Sequence, residues 1–143
     1  MNATFEKFGW PETRIAETGH WGVMLRPEQP TLGALVLACK EPVTAFSAVS
    51  AEGFADLARA VAGIEAMLHA AVAPEKINYL MLMMVDPDVH FHVLPRYPGE
   101  RAGAGLVLPD AGWPGPPALA GAHRTTGEER AALVAMLAAH WRA

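Results

Sequence analysis

With 143 residues, 52% of them hydrophobic, the chain is long enough for one well-buried core and needs no second domain. Its 11 Lys plus Arg stand against 15 Asp plus Glu, a net charge of −4 with no basic block, which argues against nucleic acid as a partner and leaves a small anionic ligand open. The single cysteine, Cys39, excludes an intramolecular disulfide; no apolar run approaches a membrane span, and no signal peptide is read, so a cytoplasmic protein without membrane contact is expected.

Residues 1–11 read as a lead-in with a helical turn, closed by Trp10-Pro11. Arg14 to Thr18 and His20 to Arg26 read as the strands of a hairpin around Thr18-Gly19-His20. Two prolines make 27–31 a loop. Leu32 to Lys40 is almost continuously apolar and reads as a central strand buried on both faces. Cys39 lies in it with no histidine pattern beside it, which disfavours a nucleophilic thiol. Ser50 is placed as a helix N-cap, with Glu52 near the positive end of the dipole. Behind it Phe54, Leu57, Val61, Ile64 and Leu68 recur at spacings of three and four, the mark of an amphipathic helix. Glu52, Asp56, Arg59, Glu65 and His69 form its polar face, and Pro74 ends it.

Lys76 to Val85 reads as a buried strand, Asp86-Pro87 as a turn, and residues 88–97 as the antiparallel strand that returns beside it. The methionines of the first strand fit ordinary core better than a pliable wall for a planar ligand. Residues 98–126, rich in Gly and Pro, read as an irregular arm. Thr126-Gly127-Glu128-Glu129 fits a capping box that opens a last helix, with Leu133, Leu137 and Trp141 on one stripe. The order predicts an α+β layer: an antiparallel sheet with helices packed on it. His20, His69, His123 and His140 read as surface or capping residues. Trp21, Trp113 and Trp141 read as core or subunit contacts.

The most informative segment is Asp88-Val89-His90-Phe91-His92-Val93-Leu94-Pro95-Arg96-Tyr97. Period two places Asp88, His90 and His92 on one strand face, roughly 7 Å apart, and Val89, Phe91 and Val93 on the other. Three readings fit that row. Two histidines and a carboxylate suit a metal, but the row spreads over roughly 13 Å, too far for one ion without outside ligands, so no metal is expected. The row also fits a polar sheet face with no chemistry. The third reading is attack on phosphorus: one neutral imidazole is the nucleophile and the other gives a proton or hydrogen bond to the leaving oxygen.

Val89-His90-Phe91-His92-Val93-Leu94-Pro95-Arg96 resembles the signature of the histidine triad (HIT) superfamily of nucleotide hydrolases and transferases, His-φ-His-φ-His-φ-φ with φ apolar. The strand–helix–strand–histidine-strand order from about residue 13 to 97 is similar to that family's, as is the Pro95-Arg96 ending. The Trp-containing arm resembles one bacterial subgroup. The resemblance implies a single HIT-like domain over 1–143, with its core at about 13–97 and an arm and helix over 98–143. It implies a five-stranded antiparallel sheet, a homodimer, no cofactor, and substrates that are nucleoside phosphoramidates or dinucleoside polyphosphates. His90 takes the place of the nucleophile that forms a covalent nucleotidyl intermediate, and His92 that of the histidine facing the scissile phosphate. Arg96, on the face of His92, and Asn78, which alone remains of the Asn, Gln and Ser residues that often precede the motif, are substrate-binding candidates.

Three departures accompany the match. Asp88 stands where the first triad histidine belongs. Pro42 stands near the place of a histidine that usually follows the third strand. Met83-Met84-Val85-Asp86 fill a segment that is usually polar. A carboxylate beside an imidazole favours the imidazolium but also orients the ring and stabilises its cationic form, so Asp88 is expected to modulate His90. A nucleotide-binding protein without chemistry and a metal-binding protein using Asp88, His90 and His92 remain the alternatives.

Overall fold

Residues 1–142 are described in the computed structural model. In chain order its elements are α1 (Ala3–Lys7), β1 (Arg14–Glu17), β2 (Trp21–Leu25), β3 (Glu28–Gln29), β4 (Leu35–Cys39), α2 (Ala51–Ala71), β5 (Lys76–Leu80), β6 (His90–Arg96), β7 (Glu100–Gly103), β8 (Leu106–Pro109), β9 (His123–Arg124) and α3 (Gly127–Ala138). Five strands make one antiparallel sheet in the order β1-β2-β4-β6-β5. This is the α+β arrangement that the element order and the resemblance imply. The expected hairpin is β1–β2, closed by the Thr18 amide donating to the Trp21 carbonyl at 2.8 Å.

The register sorts the sheet into two faces. Gly22, Ala38 and His90 form one row across β2, β4 and β6, and Met24, Val36 and His92 form the next. α1 covers this face through Phe5, which packs with Met24, Val36 and Ala38. Gly22 permits that approach, because a Cβ there would collide with the Phe5 ring. On the opposite face Trp21, Val23, Leu25, Leu35, Leu37 and Val93 join the main core with Ile64, Met67, Leu133 and Leu137 of α2 and α3. Burial of Cys39 in β4 pushes its thiol pKa up, the state of an inert core cysteine.

α2 begins at the Ser50 cap, whose hydroxyl accepts from the Gly53 amide at 2.9 Å. Its buried face differs from the expected stripe. Gly53, Asp56, Ala60, Gly63, Ile64, Met67 and Leu68 face inward, while Phe54 is 41% exposed. Small residues bring the helix closer to the core than Phe54 and Leu57 allow, and Trp141 lies directly on Gly63. Asp56, expected on the solvent face, is buried because its carboxylate accepts from the Thr18 hydroxyl at 2.6 Å and the His20 amide at 2.7 Å. α3 opens on the expected capping box, with Thr126 and Glu129 satisfying each other's amides.

Two expectations fail outside the central strands. The strand expected over Lys76 to Val85 stops at Leu80 and lies at the sheet edge. β6 pairs His92 with Leu80, so the chain from 81 to 89 must loop from one strand to the next. Met84 and Val85 are 85% and 82% exposed there. The arm is also not irregular throughout. β7 and β8 form a hairpin whose turn residues Ala104 and Gly105 have φ of 53° and 80°, the left-handed pair that a tight hairpin turn needs. β9 pairs with β3 inside the expected 27–31 loop. Among the described residues no helix is long and apolar enough to cross a membrane.

Candidate active site

β6 presents His90 and His92 on the face that α1 covers, 2% and 9% exposed. Their rings lie 5.2 Å apart, nearly perpendicular. Phe8, at the end of α1, packs against both, its ring tilted to His90 at 6.2 Å and edge-on to His92 at 5.8 Å. A cavity of about 260 Å³ lies at the rings, between Lys7, Phe8, Arg26 and Glu28 on one side and residues 82–86 on the other.

The two imidazoles have opposite hydrogen-bond partners. His90 Nδ1 lies 2.6 Å from the main-chain carbonyl of Asp88. A carbonyl only accepts, so Nδ1 carries a proton, and in the neutral tautomer this selects, the lone pair is on Nε2. His92 Nδ1 accepts from Arg26 Nε at 3.4 Å. A guanidinium only donates, so His92 carries its proton on Nε2. Burial, and after it the Arg26 charge alongside, pulls the His92 pKa down to about 4. With His90 as the neutral ring, the cavity holds one imidazole whose Nε2 has a lone pair and one whose Nε2 donates.

Asp88 is not part of the strand row. The chain bends at Asp88, ahead of β6. Its carboxylate accepts from the buried Thr4 hydroxyl at 3.0 Å, which ties α1 to the motif, and only its carbonyl reaches His90. Its effect on His90 thus runs through the backbone rather than through the expected carboxylate beside the ring.

Arg96 and Asn78 are not brought to the histidines. Arg96 is buried and grips Asp110 with two bonds, Nε to Oδ2 at 2.7 Å and Nη2 to Oδ1 at 3.2 Å. Its Nη1 donates to Asn78 Oδ1 at 2.7 Å and its Nη2 to the Gly115 carbonyl at 2.8 Å. These bonds pin the arm to the sheet beside a separate cavity of about 460 Å³ that includes Lys76 and Trp113. Four residues along β6 separate that cluster from His92, roughly 13 Å of strand.

Sequence reasoning missed Arg26, Lys7 and Phe8. Arg26 follows Met24 by two residues, and Met24 lies in the row of His92, so strand parity points Arg26 to the same face. That signal needs the register, which a sequence does not print. Phe8 and Lys7 carry no local signal at all. Among the described residues no three His, Cys, Asp or Glu side chains gather to hold a metal ion.

Crystal structures with the same architecture share a name. A histidine triad (HIT) protein from Sinorhizobium meliloti 1021 is 22% identical over 98% of this chain and 95% of its own, with a TM-score of 0.75. A histidine triad protein from Bradyrhizobium japonicum is 16% identical over 99% and 97%, with a TM-score of 0.74. A hypothetical histidine triad nucleotide-binding protein from Sulfolobus tokodaii strain7 is 16% identical over 90% and 82%, with a TM-score of 0.68. This chain has the histidine triad fold. No family model matches its sequence, and no curated protein does. On this HIT fold the segment that resembles the triad signature is β6 with the bend before it. His90 and His92 point into the cavity, and Asp88 stands at the bend.

Proposed function

We propose that the chain is a nucleotide hydrolase or transferase of the histidine triad superfamily, acting at a nucleoside 5′-phosphate through His90. The observation that carries this reading is the pair of opposite Nδ1 partners in one cavity: the Asp88 carbonyl on His90, which in the neutral ring leaves the lone pair on Nε2, and the Arg26 guanidinium on His92, which leaves the proton on Nε2. A nucleophile must be neutral at the moment of attack, and a hydrogen-bond donor must hold its proton; each ring meets its own requirement.

The reaction follows from these roles. His90 Nε2 attacks the α-phosphorus, a P–N bond forms, and the bond to the leaving group breaks with its electron pair going to the leaving atom. His92 Nε2–H donates toward that atom or a non-bridging oxygen. The phosphorylated imidazole gains positive charge, which the Nδ1–H bond to the Asp88 carbonyl stabilises. Water then attacks phosphorus and gives up a proton to solvent, the P–N bond breaks with its electron pair returning to Nε2, the nucleotide leaves with the water oxygen, and His90 is again the neutral base. Arg26 supplies a fixed positive charge beside the developing one on phosphate oxygens. Under this reading Arg96 and Asn78 serve the arm and not the substrate.

Turnover of a fluorogenic adenosine phosphoramidate tests the proposal. Hydrolysis in the wild type that disappears in folded His90→Ala is the expected result. Nucleotide binding without turnover in the wild type would instead favour a binding protein.

We also infer a homodimer. β5 is an edge strand with one open side, and Leu82, Met84 and Val85 beyond its end are 47%, 85% and 82% exposed. An open edge beside exposed apolar side chains is a surface that soluble folds usually cover.

A further inference from the structure

The cavity of about 460 Å³ beneath the arm is lined by Lys76, Asn78 and Arg96 from the sheet and by residues 113–116 of the arm, Trp113 among them. Lys76 pairs with Arg96 and Asn78 with Leu94 across β5–β6, so the three polar side chains share one sheet face. It is the face of His92, at its other end. The arm is fixed over this end through Asp110. Besides Arg96, the Asp110 carboxylate accepts from the Tyr97 amide at 3.1 Å and the Gly112 amide at 3.2 Å. The Trp113 amide donates to the Asp110 carbonyl at 3.2 Å, and the Gly115 amide to the Gly112 carbonyl at 2.7 Å. A Cβ on Gly112 would run into the Pro116 carbonyl, so the turn closes this tightly only with glycine there. Trp113 is thus held at the cavity by bonds that reach back to Arg96.

The polar side chains of this lining have donors to spare. A guanidinium carries five N–H groups. Arg96 uses four of them, two on Asp110, one on Asn78 Oδ1 and one on the Gly115 carbonyl. The fifth, on Nη1, has no partner among the described residues, although the side chain is only 4% exposed. Arg96 can only donate, so Asn78 must turn its Oδ1 toward it. Both N–H groups of Asn78 Nδ2 are then left without an acceptor among the described residues. Lys76 Nζ has no carboxylate beside it, and among the described residues no Asp or Glu lines the cavity. Asp110 cancels the Arg96 charge, so the uncancelled charge at the lining is the single one of Lys76. Opposite these donors stand the flat indole of Trp113 and two prolines.

We propose that the cavity beneath the arm is a second ligand site, separate from the histidine cavity, and that it takes a small aromatic carboxylate. One uncancelled positive charge calls for a monoanion. A carboxylate offers about four acceptor positions on two oxygens, enough to meet Lys76 Nζ, Asn78 Nδ2 and the spare Arg96 N–H together. The ring attached to it lies against Trp113 and the prolines. A phosphate dianion brings more charge than Lys76 meets, and an uncharged ring leaves the Lys76 ammonium without a counter-charge. The volume suits a ligand of this size. Roughly 13 Å of strand separates Arg96 from His92, so a ligand here stays clear of the histidine chemistry.

The probe is 2-naphthoate, titrated by calorimetry into the full chain, with 2-naphthamide as its uncharged counterpart and acetate as the charge without the ring. Saturable binding of one naphthoate per chain is expected, with 2-naphthamide and acetate each weaker by about tenfold or more. Lys76→Gln should weaken naphthoate binding about tenfold, and Lys76→Arg should recover most of it. Lys76 is exposed, so its variants leave the fold intact. Asn78→Asp sets a carboxylate against the ligand and should weaken binding about tenfold or more, and Trp113→Leu should weaken it about tenfold through the lost ring contact. No saturable binding by the wild type, equal affinity for 2-naphthamide, or an affinity unchanged in both Lys76→Gln and Asn78→Asp overturns the inference. Displacement of naphthoate by adenosine monophosphate would put the probe in the histidine cavity and overturn it as well.

Discussion

His90 and His92 differ by what their Nδ1 atoms meet, a carbonyl in one case and a guanidinium in the other. That difference assigns the chemical roles, so the two substitutions should differ in kind. His90→Ala removes the group that forms the bond to phosphorus. Turnover should drop by roughly three orders of magnitude or more, read as kcat in steady-state assays of folded protein. His92→Ala removes a donor, and a decrease of roughly a hundredfold is expected. Asp88→Ala keeps the carbonyl that orients His90 and loses only the Thr4 contact, so a decrease of about tenfold at most is expected. His92 also leaves a signature in stability. Its folded pKa of about 4 lies below the unfolded 6.5, so between those values the unfolded chain binds the extra proton. Stability is unaffected by this group above pH 6.5 and falls by about 3 kcal/mol as the pH drops through that window to 4. Urea midpoints at pH 7, 5 and 4 should show a steeper loss in the wild type than in His92→Gln; parallel losses would contradict the burial of a neutral ring. The pairing of the two histidines was readable because period two and an apolar opposite face mark a strand. Their tautomers were not, because the deciding partners are a backbone carbonyl at a bend and an arginine set by strand register.

At the scale of elements, α1 and the arm build most of the site from outside the motif. α1 reaches the histidines because Phe5 sits on Gly22. Gly22→Ala forces Phe5 away and should cost about 1–3 kcal/mol in denaturation, with a loss of activity larger than that of an equally destabilised variant elsewhere. The arm is held by the buried Arg96–Asp110 pair. Asp110→Asn leaves the Arg96 charge without its partner and should cost about 3–5 kcal/mol by the same measurement. The Thr126–Glu129 cap of α3 was legible because a capping box is a local code. The buried face of α2 was not, since Gly53, Ala60 and Gly63 carry little hydrophobic signal yet pack closest. Residues 81–85 were read as buried because apolarity alone does not say which surface a residue faces. The β7–β8 hairpin was hidden by the glycines that its turn requires.

For the whole molecule, charge and assembly carry the argument. Lys7, Arg26, Arg124 and Arg130 line one cavity on a chain of net charge −4, so that mouth favours an anionic ligand against the sign of the whole molecule. In the sequence the dimer is expected from the family resemblance, together with the apolar stripes Phe54 to Leu68 and Leu133 to Trp141 and a strand read as apolar through Val85. The structure moves the grounds to the open β5 edge and the exposed residues after it. Light scattering at micromolar concentration should give about twice the 15.3 kDa chain mass, and Val85→Lys should shift it toward the monomer. The fold was largely readable because the core strands and α2 follow simple periodicities, whereas the site draws on α1, β2, β6, β9 and α3 at once. One measurement bears most directly on the central role of His90. Wild type mixed with diadenosine tetraphosphate and with an adenosine phosphoramidate is quenched within milliseconds at alkaline pH, where a phosphorylated histidine persists, and mapped by mass spectrometry. The expected result is a single nucleotidyl adduct on His90, absent from folded His90→Ala. An adduct on another side chain, or turnover that survives in folded His90→Ala, would contradict it.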